Sequence, residues 1–225
     1  MPGCLFIVAT PLGNLQDLSE RAKTTLASAQ KILCEDTRVT AHLLHAFAIH
    51  VPLVSYHQHS SLLREKEIID WLKEGQTLAL VTDAGTPGIS DPGGKLIAAV
   101  LHALGSQVEI IPIPGPCAAI TALCVSGFPT DHFLFLGFPP QKNRRKTYFE
   151  QIRAQKETVV CYESTHRITK TLEQLKEALG DRPLMVAREL TKIHEILYRG
   201  TATEILEQLT HTSNKGEFVI VIGPA

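Results

Sequence analysis

Six turns in this chain gather glycine, proline and charged side chains directly behind short apolar runs. They are TPLGNL at 10–15, CEDTR at 34–38, DAGTPGISDPGG at 83–94, PGPCAA at 114–119, YESTHR at 162–167 and RELTK at 188–192. The third is the densest, with four glycines, two prolines and two aspartates behind the apolar run Thr77–Val81. Glycine lets a ligand approach the backbone closely, and the carboxyl ends of strands in an open α/β sheet are where ligands bind. Glu35, Asp36, His57 and Asp83 all follow strand ends and are the candidates for taking up a proton during catalysis. Each also has a structural reading: Asp36 or Thr37 as the cap of the next helix, and Glu35 as an ion-pair partner of Arg38.

The common nucleotide fingerprints are missing. A P-loop ending at Lys95 would need glycine where Ile89 stands and a hydroxyl residue where Leu96 stands, and Pro11-Leu12-Gly13-Asn14-Leu15 replaces the G-x-G-x-x-G of a dinucleotide fold. The net charge of -1 excludes a globally basic nucleic-acid binder, so any RNA contact must use a local patch. Lys142, Arg144, Arg145 and Lys146, followed by Tyr148 and Phe149, form the one dense basic run. It reads either as a solvated helix start or as a phosphate contact, because cations in a first helical turn oppose the helix dipole. Arg38, Arg167 and Arg188 lie in other turns behind strands and could extend that surface. Five histidines fall between His42 and His59, but no cysteine or carboxylate stands at ligand spacing around His57-Gln58-His59, and no metal is expected.

The elements that must position these turns follow from the apolar pattern. Strands are predicted at Cys4–Thr10, Ile32–Cys34, Leu53–His57, Thr77–Thr82 and Val108–Pro112, alternating with helices at Ser19–Ala29, Thr40–Phe47, Leu62–Lys73 and Lys95–Leu104. That alternation is the signature of a mostly parallel sheet covered by helices. The IPIPGP segment interrupts any regular element, so the chain divides into α/β domains at 1–113 and 114–225. In the second, helices are predicted at Cys117–Ser126, Arg144–Ala154, His166–Leu179 and Thr203–Leu209, and strands at Phe133–Leu136, Thr158–Tyr162, Leu184–Leu190, Glu195–Arg199 and Phe218–Ile222. Two strands in succession near Leu190 and Glu195 predict a hairpin and hence a mixed sheet. The five cysteines form no C-x-x-C pair and suit a reducing cytoplasm, no signal peptide is expected, and no apolar run approaches the length of a membrane helix.

The ordered series IVATPLGNL, EDTR, LVTDAGTPGISDPG, PIPGPCAAITAL, YESTHR, AREL and GEFVIVIG resembles the tetrapyrrole (corrin/porphyrin) methylase superfamily along nearly the whole chain. Pro11-Leu12-Gly13-Asn14 and Gly85-Thr86-Pro87 depart from the glycine-rich first loop and the Gly-Asp-Pro usual in its tetrapyrrole enzymes, and are similar instead to its ribosomal RNA methylating branch. The resemblance implies a class III methyltransferase and a homodimer, with S-adenosylmethionine folded into the cleft between the two domains. It further implies 2′-O-methylation of a cytidine in the decoding region of 16S rRNA in the small ribosomal subunit. Carried over by position, the cofactor contacts would be Leu12, Asp83, Ala84, Gly85, Thr86, Pro87, Ile89, Cys117, Ala118, Ala119, Tyr162 and Leu190. Two alternatives stay open: methylation of a tetrapyrrole carbon, and a non-catalytic RNA-binding module that requires the same cofactor.

Overall fold

The computed structural model describes residues 2–57 and 60–225, arranged as two compact α/β units, 1–117 and 118–225. The division falls after Cys117 rather than at Pro114. Residues of the IPIPGP turn stay with the first unit because Pro116 accepts a hydrogen bond from Thr86 Oγ1 (2.9 Å), and Gly115 lies so close to Ala9 that an added Cβ would sit 3.0 Å from the Ala9 methyl.

In the first unit, β1 (Gly3–Val8), β2 (Lys31–Cys34), β3 (Leu53–Ser55), β4 (Thr77–Leu80) and β5 (Val108–Ile113) form one sheet in the order β3-β2-β4-β1-β5, with every pairing parallel. Both faces are covered, so side chains alternate between two cores. Val8, Ile32, Cys34, Ala79 and Val81 meet Ala22 and Leu26 of α1 (Glu20–Ser28) and Leu44 of α2 (Thr37–Ala46). Leu5, Leu33, Leu78 and Leu80 meet Ile68 and Leu72 of α3 (Leu62–Lys73) and Leu96, Val100 and Leu104 of α4 (Gly94–Leu104). Each fully buried leucine contributes roughly 1.5–3 kcal/mol relative to exposure. The α2 helix starts three residues before the predicted Thr40, because Asp36 caps it by accepting from Arg38 N (2.8 Å).

The second unit is the mixed sheet that its hairpin required. Its strands are β6 (Phe133–Phe135), β7 (Thr158–Ser164), β8 (Leu184–Arg188), β9 (Ile196–Gly200) and β10 (Glu217–Ile222), in the order β6-β7-β10-β8-β9. Only β6 and β7 run parallel; β10 is antiparallel to β7 and β8, and β8 to β9. The helices α6 (Arg145–Ala154), α7 (Ile168–Leu179) and α8 (Ala202–Thr210) build one core with Ile152, Leu172 and Ile205 at its centre. The small-residue helix α5 (Ala118–Ser126) packs against β10 and β7. Thr201 and Glu204 form a complete capping box before α8, satisfying two orphan amides at that terminus. The predicted strand to Leu190 stops at Arg188 because Glu189 takes φ 54, outside the extended region. No described helix is long and apolar enough to cross a membrane.

Gly3 is the tightest point of the first unit: a Cβ there would stand 2.0 Å from the Leu72 carbonyl oxygen, so backbone must move. Gly3→Ala is expected to lower the unfolding free energy by about 1–3 kcal/mol in urea titrations. Gly94→Ala, which meets nothing within 4 Å, should leave it unchanged or slightly raised.

Candidate active site

All five parallel strands of the first unit end on the same edge, which gathers the turns after β1, β2, β3, β4 and β5. From β1 the chain travels toward β2, and from β4 it travels the opposite way toward β5. The neighbours whose connections diverge are β2, which leads out to β3, and β4, so the topological switch point, where an open α/β sheet leaves a crevice for a ligand, lies between them, with β1 on the other side of β4. The turns behind β1 and β4 are tied together. Thr10 N donates to Gly85 O (2.9 Å), Gly85 N returns a bond to Thr10 O (3.1 Å), and Thr10 Oγ1 donates to Thr82 O (3.0 Å). Gly85 adopts φ 87, and an added Cβ would come within 3.3 Å of Leu12 Cδ2. Beyond it, Thr86-Pro87-Gly88-Ile89 is a type II turn: proline at the second position, φ 85 at Gly88, and Ile89 N bonded to Thr86 O (3.2 Å). The glycines and prolines behind β4 thus form a rigid, closely folded loop, with Ala84 half-buried and Gly85 and Pro87 buried.

Three carboxylates stand beside this loop, in different electrostatic states. Asp36 is taken up by Arg38, whose Nε and Nη2 reach its two oxygens at 3.0 and 2.6 Å; these bonds hold its pKa down to about 2. Asp83 Oδ1 accepts from Asp36 N (3.1 Å), while partial desolvation raises its pKa and the neighbouring Asp36 charge adds to that rise. The Glu35 side chain has no hydrogen-bond or ion-pair partner among the described residues. Burial pushes its pKa up, Asp83 pushes it further, and His57 opposes them. The Glu35–Arg38 pair read from the sequence is therefore replaced by Asp36–Arg38, since Arg38 is already held by the helix cap. His57 sits past β3, its amide donating to Ser60 Oγ (2.9 Å); Gln58 and His59 lie outside the described residues. Among the described residues no group of three or more His, Cys, Asp or Glu is placed to hold a metal ion.

In the second unit, Tyr162 projects from β7 to the start of α5, where its hydroxyl accepts from Ala119 N (3.1 Å). Phe135 and Phe138 meet its ring edge-on at 5.0 and 5.5 Å. Leu190 is buried in the turn between β8 and β9, flanked by two non-glycine residues in the left-handed region, Glu189 (φ 54) and Thr191 (φ 64). The turn is clamped. Lys192 Nζ bridges Glu189 (3.0 Å) and Glu217 (2.8 Å), Glu189 also accepts from Glu217 N (2.9 Å), and Gly216 leaves the space that Glu189 fills. Sequence reasoning missed this clamp, although the charges of RELTK and the glycine of GEFVIVIG were its visible signs.

The basic residues divide by burial. Arg145, read from sequence as an RNA contact, is 8% exposed and bonds Gln174, Thr171 and the Pro140 carbonyl. Arg188 is equally buried, with Nε on the Lys215 carbonyl (2.7 Å). Arg167 pairs with buried Glu163 (2.8 Å) and donates to Pro139 O (3.0 Å). Arg145 and Arg188 are corrected to internal roles, while Arg167 is half-buried: spacing along the chain does not reveal that α6 turns Arg145 inward while Arg144 caps it at φ 66. Lys142, Arg144, Lys146 and Arg38 remain on the surface.

The family profile of the tetrapyrrole (corrin/porphyrin) methylases matches residues 4–206. The chain belongs to this family. It is 48% identical over 225 residues to a Synechocystis sp. protein named ribosomal RNA small subunit methyltransferase I, covering 99% of this chain and 80% of that one. A Thermotoga maritima protein of the same name is 40% identical and covers 98% of both. Among solved structures, the Thermus thermophilus uroporphyrin-III C-methyltransferase superposes with a TM-score of 0.68 at 18% identity, covering 98% of this chain and 94% of that one. A diphthine synthase superposes with a TM-score of 0.72 at 14% identity, covering 98% and 90%. At such identities these two share the fold. Family membership implies S-adenosylmethionine as cofactor, and the residues present suit it. Gly85 and Ala84 bare the backbone beside Leu12, and Ala118 and Ala119 offer only methyl groups at the start of α5. None of these residues adds a formal charge that would compete with a sulfonium.

Gly85→Val is expected to abolish measurable S-adenosylmethionine binding by calorimetry, because the side chain both strains φ 87 and strikes Leu12. Arg145→Ala should destabilise the second unit by about 1–3 kcal/mol in chemical denaturation, by orphaning the polar groups it now satisfies. Arg144→Ala, at an exposed site, should change stability by less than about 0.5 kcal/mol beyond any effect of its φ 66 backbone.

Proposed function

We propose that this chain methylates the 2′-oxygen of a cytidine in the decoding region of 16S rRNA, using S-adenosylmethionine. The observation that carries this reading is the end-to-end likeness to relatives named ribosomal RNA small subunit methyltransferase I, across four-fifths or more of the two relatives described above. The proposed cofactor contacts are Leu12, Asp83–Pro87, Ile89 and Cys117 of the first unit, and Ala118, Ala119, Tyr162 and Leu190 of the second. The cofactor supplies a methyl group on a sulfonium, a leaving group that departs as a neutral thioether. Much of the protein's work is then alignment of the acceptor oxygen with that methyl.

A ribose hydroxyl is a weak nucleophile until its proton is drawn away, and a positioned base contributes roughly 10²–10⁴-fold. Glu35 takes this role. Asp36 is held ionised by Arg38, Asp83 already accepts the Asp36 amide, and Glu35 alone of the three has both oxygens uncommitted among described residues. As the carbon–oxygen bond forms and the carbon–sulfur bond breaks, the hydroxyl proton passes to the Glu35 carboxylate. Asp83 strengthens that base by its charge and orders the turn through the Asp36 amide. Phosphate contacts fall to Lys142, Arg144 and Lys146 of the second unit and, in part, to Arg38 of the first, few enough cations to favour a folded ribosomal particle over free RNA. The exposed apolar side chains Ile120 and Val125 on α5 support a homodimer, and five cysteines with no disulfide among the described residues suit a reducing cytoplasm.

Small ribosomal subunits from cells lacking this activity, incubated with methyl-labelled cofactor and digested to nucleosides, should yield labelled 2′-O-methylcytidine. Label in a porphyrinoid carbon, or none in RNA, would refute the assignment. Activity requires the deprotonated base, so the rate should fall as pH drops through the raised Glu35 pKa, an acid limb above the ordinary carboxylate range. Glu35→Gln should remove that limb and lower kcat by roughly 10²–10⁴-fold; a retained limb would assign the base elsewhere.

A further inference from the structure

Arg188 ends β8 with only part of its guanidinium engaged. Its Nε donates to the Lys215 carbonyl (2.7 Å), while neither terminal nitrogen has a hydrogen-bond or ion-pair partner among the described residues. The residue is 8% exposed, yet these nitrogens are not sealed in: the enclosed, unpaired side-chain atoms among the described residues are Thr82 Oγ1, Tyr148 Oη and Thr191 Oγ1. The fork opens instead onto a cavity of about 710 Å³ that Arg188 lines. A guanidinium is always charged, and a charge nine-tenths buried is costly unless an opposite charge meets it.

Two turns of the second unit wall this cavity, and each is fixed. In 188–196 the two lining carboxylates are already taken: Glu189 accepts from Lys192 Nζ (3.0 Å) and Glu217 N (2.9 Å), and Glu195 from Thr191 N (2.6 Å). In 213–216, Thr165 Oγ1 donates to the Gly216 carbonyl (2.6 Å) and accepts from its amide (2.7 Å). Lys215, His194 and Ser213 line the same space, and their side chains are hydrogen-bond donors. The cavity is also apart from the contacts read for the cofactor. Arg188 pairs in register with Phe218, and Phe218 with Glu163, on the sheet face that carries the α6–α8 core. Tyr162 pairs with Val219, so it lies on the opposite face, toward α5.

We propose that this cavity binds the phosphate of a nucleotide, with the Arg188 fork and Lys215 on its oxygens. A guanidinium fork reaches two phosphate oxygens at once. The further donors of Lys215, His194 and Ser213 exceed what the two oxygens of a carboxylate can accept, and the volume exceeds a bare phosphate and suits a whole nucleotide. The nucleotide is supplied free or as part of an RNA chain, and only the second source rests on the function proposed above.

Titration of the full chain with cytidine 5′-monophosphate, followed by amide NMR shifts, tests the site. Shifts should concentrate in 188–196 and 213–216 and be absent with cytidine, which lacks the phosphate. Lys215→Glu should weaken binding at least about 10-fold, and Arg188→Lys, which keeps the charge and loses the fork, by about 5- to 15-fold. Lys176→Glu, at an exposed site on α7, changes net charge equally and should leave affinity unchanged. A short single-stranded cytidine oligonucleotide separates the sources: weakening by Lys215→Glu to the same extent assigns the site to RNA, and native affinity for the oligonucleotide assigns it to a free nucleotide. No shift in either turn with any probe, or equal weakening by Lys176→Glu and Lys215→Glu, would overturn the proposal. If Arg188→Lys fails to fold, Lys215→Glu decides it. Failure of the ribosomal methylation assay would refute the function proposed above and leave the mononucleotide result standing.

Discussion

The reciprocal hydrogen bonds between Thr10 and Gly85 are the constraint from which the first unit's chemistry follows. They join the turns behind two adjacent strands, β1 and β4, beside the switch point between β2 and β4 where parallel α/β topology leaves a crevice. A two-way backbone bridge requires the loops to approach within hydrogen-bonding distance, which is possible because Gly85 adopts φ 87 without a side chain. The type II turn at Thr86–Ile89, the Thr86 bond to Pro116 and the contact of Gly115 with Ala9 then stack in sequence on that bridge. Loop rigidity here is a product of backbone geometry, with hydrophobic burial supplied by the two cores beneath.

Charge is handled differently at the two ends of the molecule's polar inventory. In the second unit, buried Glu163 is compensated by Arg167 and Thr171, and Thr171 in turn accepts from Arg145. A buried carboxylate without such partners would be prohibitive, so these arginines are committed to the fold. At the β2 and β4 ends, by contrast, Asp36 is neutralised by Arg38, while Glu35 forms no ion pair among the described residues and its proton affinity is raised by burial and by Asp83, against the opposing influence of His57. Structural sites pair their charges. A group left poised between charge states is a hallmark of chemistry.

The strands and helices were legible because parallel β-strands buried on both faces read as continuous apolar runs, and the helices carry their own period. The turns behind β1, β4 and β5 were legible too, since glycine and proline mark all three. What sequence could not convey was direction. Arg144 and Arg145 are adjacent in a basic run, yet one is exposed at a left-handed cap and the other is buried against Gln174. Asp36 and Glu35 are likewise neighbours, and only the fold decides which of them Arg38 reaches.

The account stands or falls on the Thr10–Gly85 junction being part of the cofactor site. Amide hydrogen exchange with and without S-adenosylmethionine measures this directly. Slowed exchange concentrated in 10–15 and 83–94, with the helices α3 and α4 unchanged, is the predicted result. Cofactor-dependent protection elsewhere, with both of these turns exchanging as in the free protein, would contradict it.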